Sequence, residues 1–244
     1  MKNFIIGILQ VIVGFNNYLL LFSCNKILFL RFDRRKKDFL RFVKMIPNES
    51  NVLIIGANTG ITTVPVARRI SSGKIIAFEP VAQNVIILKR VLHIFRVENK
   101  VSVVSSALGN SNGSIKMVLP VWGFTKKHGF AHVAEEALTG DEKGIVSESR
   151  IQRLDDVEEL RAMKINYIKI VAENYEYNIL SGGKNLIEEN RPVIYCELWD
   201  NDHRLKTLEL IKSFRYQVKV FRDGNLHEYN PAIDKQKYFF FFPL

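Results

Sequence analysis

The chain has 244 residues, 47% hydrophobic and 25% charged, which allows one domain of ordinary size plus an extension and excludes wholesale disorder. Only 14 Gly and 7 Pro exclude a collagen-like chain; two cysteines, Cys24 and Cys196, exclude a disulfide scaffold, so a reducing compartment is expected. The net charge of +10 is uneven: residues 1–44 hold nine Lys/Arg against Asp33 and Asp38, the rest 26 against 23, a near balance that argues against a nucleic-acid-binding body.

Residues 4–30 are strongly apolar but are interrupted by Gln10, Asn16-Asn17 and Asn25-Lys26, so no clean run of about 18 apolar residues exists for a simple spanning helix. A basic cluster follows, from Arg31 to Lys44. Apolar then basic suits a helix lying on an anionic membrane surface, at the cytoplasmic face of the inner membrane. The competing readings are an apolar helix packed on the body of the domain, or a signal peptide with Cys24 at a weak lipoprotein-like site. The expected division is an apolar and basic helical extension over 1–48 and a main domain over 49–244.

Asn51–Ile55 is a continuous apolar run, expected of a strand buried on both faces. The turn Gly56-Ala57-Asn58-Thr59-Gly60 and a helix as far as Ser72 follow, with Gly73 as the stop. Lys74–Phe78 reads as a strand. Val81–Phe95 reads as a helix with Val81, Val85, Leu88, Leu92 and Phe95 on one stripe, and Val101–Val104 as the next strand. Ser114–Leu119 suits a strand, and 120–148 a long binding loop or lid. Beyond it the pattern predicts strands at Ile165–Val171, Pro192–Leu198, Tyr216–Phe221 and Lys237–Phe242, with helices at Tyr175–Glu189 and His203–Phe214. This alternation predicts an α/β fold with a doubly wound, mostly parallel, seven-stranded sheet.

Ligands of such sheets bind outside the carboxyl ends of the strands. That rule nominates Gly56–Gly60, Glu79, Ser105-Ser106, Val171–Glu173 and Glu197. Glycine lets the backbone approach a ligand closely. Glu79 follows Gly60 by 19 residues, at the end of the next strand, where a carboxylate can accept both ribose hydroxyls. Turn and acid together read as an adenosine-type cofactor site. The spacing is not G-x-G-x-x-G and no Gly-Lys-Ser/Thr occurs, so S-adenosylmethionine, which has a ribose and no phosphate, fits better than a dinucleotide or a nucleoside triphosphate. No Cys/His cluster has metal-ligand spacing, and no metal is expected.

The segments VLIIGANTG (52–60), IIAFEP (75–80), SSALGN (105–110), RLDD (153–156), YIKIVAENYEYNIL (167–180) and RPVIYCEL (191–198) occur in this order, before a terminal YFFFFP. Together they resemble the FkbM-type methyltransferases, a branch of the class I S-adenosylmethionine-dependent fold, over about 50–244. The resemblance implies that Gly56, Ala57, Asn58, Thr59 and Gly60 surround the methionine part of the cofactor, that Glu79 holds the ribose, and that Ser106 and Ala107 lie near the adenine. Glu173 and Glu176 match the two glutamates of the family's Lys-Ile-Asp-Val-Glu-Gly-x-Glu stretch. This chain departs from the family at three positions: Ile54 stands where an acid is usual, Val171 where Asp is usual, and Asn174 where Gly is usual.

Methyl transfer to a hydroxyl needs a general base within hydrogen-bond reach. Glu173 at the strand end is the first candidate; His128 and His132, from the long loop, are the others. Trp122, Phe124 and Phe130 could stack on a sugar ring. The resemblance implies O-methylation of a small-molecule or glycan acceptor, often a sugar in a surface glycan, with a lipid-linked precursor suggested by the N-terminal segment. The losses at Ile54 and Val171 leave a second reading open, a weakened or inactive relative that binds cofactor, glycan or a partner.

Overall fold

The computed structural model describes residues 10–122, 125–126, 132–133 and 144–244. The strands are β1 (Val52–Ile55), β2 (Ile75–Phe78), β3 (Val101–Val104), β4 (Ala107–Gly109), β5 (Gly113–Trp122), β6 (Thr125–Lys126), β7 (His132–Val133), β8 (Gly144–Arg153), β9 (Tyr167–Ile170), β10 (Val193–Glu197), β11 (Tyr216–Arg222), β12 (Asn225–Glu228) and β13 (Tyr238–Pro243). The helices are α1 (Phe15–Leu28), α2 (Lys37–Met45), α3 (Thr63–Arg69), α4 (Ala82–Ile94), α5 (Glu158–Arg161), α6 (Glu176–Ser181), α7 (Lys184–Asn190) and α8 (Asp202–Ser213).

The main sheet has the order β12-β11-β13-β10-β9-β1-β2-β3. Strands β3, β2, β1, β9 and β10 are parallel neighbours, and β13 joins them antiparallel. All four residues of β1 and of β2 are buried, because helices cover both faces. Their alternation divides the core: Leu53, Ile55, Ile76 and Phe78 pack on one face, Val52, Ile54, Ile75 and Ala77 on the other. Strand order reverses between β1 and β9, so a crevice opens outside their carboxyl ends.

The α/β architecture is as expected, but three details differ. The main sheet has eight strands rather than seven, because β12 pairs with β11 through a tight turn at Asp223-Gly224. Both turn residues have positive φ (51° and 89°), the conformation that an Asp-Gly hairpin adopts. The expected helix over 175–189 is two helices, α6 and α7, split at Gly182-Gly183. A Cβ on Gly182 would lie 1.8 Å from Gly109 O, so the chain must pass β4 without a side chain. Finally, much of the expected irregular region belongs to a second sheet ordered β4-β8-β5-β6, with β7 also paired to β5. Its strand β8 carries no sequence signal because Ile145 and Val146 are exposed, which leaves no apolar alternation to read.

The N-terminal segment packs onto the body. On α1 the buried residues are Leu19, Ser23 and Ile27, one face at helical spacing. Leu19, Ile27, Phe39, Phe42 and Ile46 share a core cluster with Val52, Ile54 and Phe240. Phe42 stacks on Tyr195 at 5.2 Å between centroids, and Tyr167 Oη donates to Met45 O at 3.0 Å. Among the described residues, the opposite side of the segment is exposed. Val11, Ile12, Val13, Leu21, Leu28, Phe29 and Phe32 are all exposed, beside exposed Arg31, Arg34 and Lys37. Among the described residues no helix is long and apolar enough to cross a membrane.

Candidate active site

A cavity of about 970 Å³ lies in the crevice at the carboxyl ends of β1, β2, β9 and β10. Gly56, Ala57, Asn58, Glu79, Ser106, Ala107 and Glu173 all line it. Thr59 and Gly60 are not among its lining residues. Thr59 is fully buried and faces α1, where Ser23 Oγ hydrogen-bonds both Thr59 Oγ1 and Leu19 O at 2.7 Å. Gly60, at φ +91°, lies against Leu88 and Val91 of α4. These two residues shape the turn from behind. His128, Phe124 and Phe130 lie outside the described residues, and for His132 and Trp122 only the backbone, in β7 and β5, is described.

The glycine turn is forced by a backbone approach. Gly56 has φ +72°, and a Cβ there would lie 1.9 Å from Val171 O, at the end of β9. Glu79 locks the turn. Its Oε2 accepts from Asn58 N at 2.8 Å, and its Oε1 from Val81 N at 3.1 Å and Asn84 Nδ2 at 3.0 Å. Burial raises its pKa, the hydrogen bonds lower it, and burial dominates. A carboxylate has about four acceptor directions. Three are taken inside the protein, which leaves one acceptor direction, on Oε2. Ser106 is held in place by Gln152 Nε2, which donates to its Oγ at 2.9 Å from β8.

Lys169 is a site residue that the strand-end rule does not nominate. It is 3% exposed, lines the cavity, and donates to Gly56 O at 2.8 Å and Ile55 O at 3.3 Å. Burial pulls its pKa down to about 8. Strand register sets Ile54 directly beside Lys169. An acid at position 54, usual in the resembling family, would therefore stand next to this buried ammonium; here two carbonyl oxygens serve it instead.

The β9 end turns sharply. Glu173 and Asn174 both have positive φ, 47° and 76°. Asn tolerates this region better than most residues, which explains how it replaces the family's Gly, and Asn201 Nδ2 donates to its side-chain oxygen at 2.8 Å. Strain of this kind concentrates at functional sites. Burial, then the like charge of Glu197, pushes Glu173 up to about 7. Glu176, at about 7 for the same first reason, caps the turn by accepting from Ala172 N at 2.8 Å. Glu197, at the end of β10, pairs with Lys237 at 2.5 Å, and both line the cavity. The arrangement sets the rigid Gly56 turn, the buried carboxylate of Glu79 and the second carboxylate of Glu173 around one cavity.

Fold and site together define a class I methyltransferase architecture. The FkbM methyltransferase domain profile matches residues 55–218, and the chain belongs to the FkbM methyltransferase family, whose cofactor is S-adenosylmethionine. No curated protein matches the chain. Among solved structures, an FkbM methyltransferase from Methylobacillus flagellatus KT superposes with a TM-score of 0.55 at 14% identity, covering 81% of this chain and 44% of that one. The chain thus spans less than half of that protein's length. An O-methyltransferase from Bacillus cereus, in complex with SAH, gives 0.54 at 14% identity over 93% and 90% of the two chains. Cofactor-bound Rv0187 from MTB gives 0.52 at 13% identity over 96% and 92%. At these identities the likeness is one of fold.

Proposed function

We propose that the chain is an O-methyltransferase that methylates a hydroxyl of a sugar, in a surface glycan or a lipid-linked precursor, at the cytoplasmic face of the inner membrane. The observation that carries this reading is a single cavity joining the Gly56 turn and Glu79 to Glu173. S-adenosylmethionine, when bound, supplies an electrophilic methyl group. The residues present fit it: Gly56, Ala57 and Asn58 would hold the methionine end, Glu79 a ribose hydroxyl, and Ser106 with Ala107 the adenine end.

Glu173 then serves as general base. A carboxyl with a pKa near the working pH is half ionised there and still basic enough to take a hydroxyl proton. Its ionised form is the active one, so the rate should rise with pH through a midpoint near 7. Replacing Glu197 with Gln removes the like charge, and the midpoint should fall towards the ordinary carboxylate range. A rate profile with labelled cofactor reads both; a flat profile between pH 5 and 9 contradicts the assignment.

The membrane reading is supported by the uncovered apolar and basic side of residues 11–37. Removing residues 1–44 would strip Leu19, Phe39 and Phe42 from the core, so point changes are the better probe. Phe29 and Phe32 are 57% and 65% exposed, and serine at both should weaken flotation with anionic vesicles by roughly tenfold or more without lowering Tm. Unchanged flotation of the double variant sinks the membrane reading.

A further inference from the structure

The cavity has a second wall, and α1 builds it. Tyr18, Phe22 and Lys26 stand at i, i+4 and i+8 on this helix, and all three line the cavity. They form a stripe beside the buried Leu19, Ser23 and Ile27. Tyr18 and Phe22 stack with centroids 6.2 Å apart and planes at 24°. Lys26 Nζ lies 5.7 Å from the Phe22 centroid. A flat aromatic pair with a cation at its end matches a sugar ring carrying an anionic substituent: the ring's C–H face lies on the aromatics, the anion on the ammonium.

A second lysine faces the same cavity. Lys36 ends the turn Arg34–Lys36 that precedes α2. Among the described residues, neither Lys26 nor Lys36 makes an ion pair. The nearby Arg35 is different, because both its Nε and Nη2 are spent on Asp33, at 3.0 and 2.9 Å. The charge of Lys36 is felt at Glu173 and Lys169, and that of Lys26 at Asp33, and all of these residues line the same cavity. Two point-like ammonium groups on different elements suit the tetrahedral, multi-oxygen anion of a phosphate ester better than a planar carboxylate, which arginine grips in a bidentate way.

We propose that this wall is the acceptor subsite and that it takes a phosphate-bearing sugar, with the ring on Tyr18 and Phe22 and the phosphate between Lys26 and Lys36. The inference rests on the methyltransferase reading and adds the substrate class to it. The phosphate has two sources, a polyprenyl-linked sugar reaching in past the exposed Leu21 and Phe29, or a free sugar phosphate.

The test is a calorimetric titration of the full chain, first with S-adenosylhomocysteine and then, once saturated, with acceptor probes. The probes are glucose, galactose and mannose 1-phosphates, the corresponding methyl glycosides, and phosphatidylcholine vesicles carrying polyprenyl-phosphate-linked glucose. Expected is binding of a phosphosugar, with the methyl glycoside at least about tenfold weaker. The variants K26Q and K36Q should each lose about tenfold in phosphosugar affinity and keep the S-adenosylhomocysteine affinity of the wild type. Binding only from vesicles assigns the lipid-linked source, and equal binding of the soluble phosphates assigns the free one. Equal affinity for phosphosugar and methyl glycoside overturns the phosphate assignment, as does full affinity in the K26Q/K36Q double variant. S-adenosylhomocysteine binding without any phosphosugar binding overturns the subsite alone, while absence of both overturns the methyltransferase reading beneath it.

Discussion

Alanine at Gly56 is expected to be the most damaging single methyl group that can be added near the site. The new Cβ would sit 1.9 Å from Val171 O, far inside contact distance, and the obstacle is backbone rather than a mobile side-chain end. The residue also holds φ at +72°, a region that alanine avoids. The ends of β1 and β9 cannot separate freely, because each strand is paired on both sides within the buried sheet. The cost should be on the order of 3 kcal/mol or more. For a chain of this size that lowers Tm by roughly 6–12 °C. Cofactor binding should also be lost in whatever fraction stays folded, since Gly56 O positions Lys169 and the turn presents Asn58 to Glu79. A Gly56→Ala protein with wild-type Tm would mean that β1 and β9 do not approach each other as described.

The second large effect is on turnover. Glu173→Gln keeps the volume and removes the ability to take a proton. With the acceptor that supports catalysis, kcat should fall by roughly a hundredfold to ten-thousandfold. The affinity for S-adenosylhomocysteine should stay the same, because Glu173 sits at the β9 end and not in the Gly56 turn. Stability should not fall and should gain at neutral and higher pH. Burial holds the Glu173 pKa at about 7 against 4.5 for a free carboxyl, so the native state loses stability as pH rises from about 4.5 through 7. Gln carries no such cost. An unchanged kcat would move the base elsewhere, whereas cofactor binding without turnover in the wild type would mark this chain as a binding relative in which Val171 has replaced the working carboxylate.

Part of this site is legible in the amino-acid sequence. Continuous apolar runs identify β1 and β2, and the strand-end rule then selects Gly56, Glu79, Ser106 and Glu173, all of which line one cavity. Local patterns suffice there because each residue follows directly from the strand that presents it. What escapes depends on packing between distant segments. Nothing local in residues 15–28 says that one stripe docks, another lines the cavity and a third stays exposed. The Ser23–Thr59 contact that turns Thr59 away from the cavity joins residues 36 apart in the chain. Lys169 reads as an ordinary strand residue; only register sets it beside Ile54 and under Gly56. The hairpin at Asp223-Gly224 and the helix break at Gly182-Gly183 do have signals in the sequence, a turn dipeptide and a glycine pair, and heavier weight on those finds both.

The central claim is that this chain holds an S-adenosyl cofactor with its Gly56 turn and Glu79. Calorimetric titration of the full chain with S-adenosylmethionine tests it most directly, with Glu79→Ala alongside and its folding checked by circular dichroism. The account predicts a dissociation constant on the order of micromolar for the wild type, weakened about a hundredfold in the variant, which loses both a ribose acceptor and the lock on Asn58. Absence of binding up to millimolar cofactor, or equal affinity in the folded variant, contradicts it.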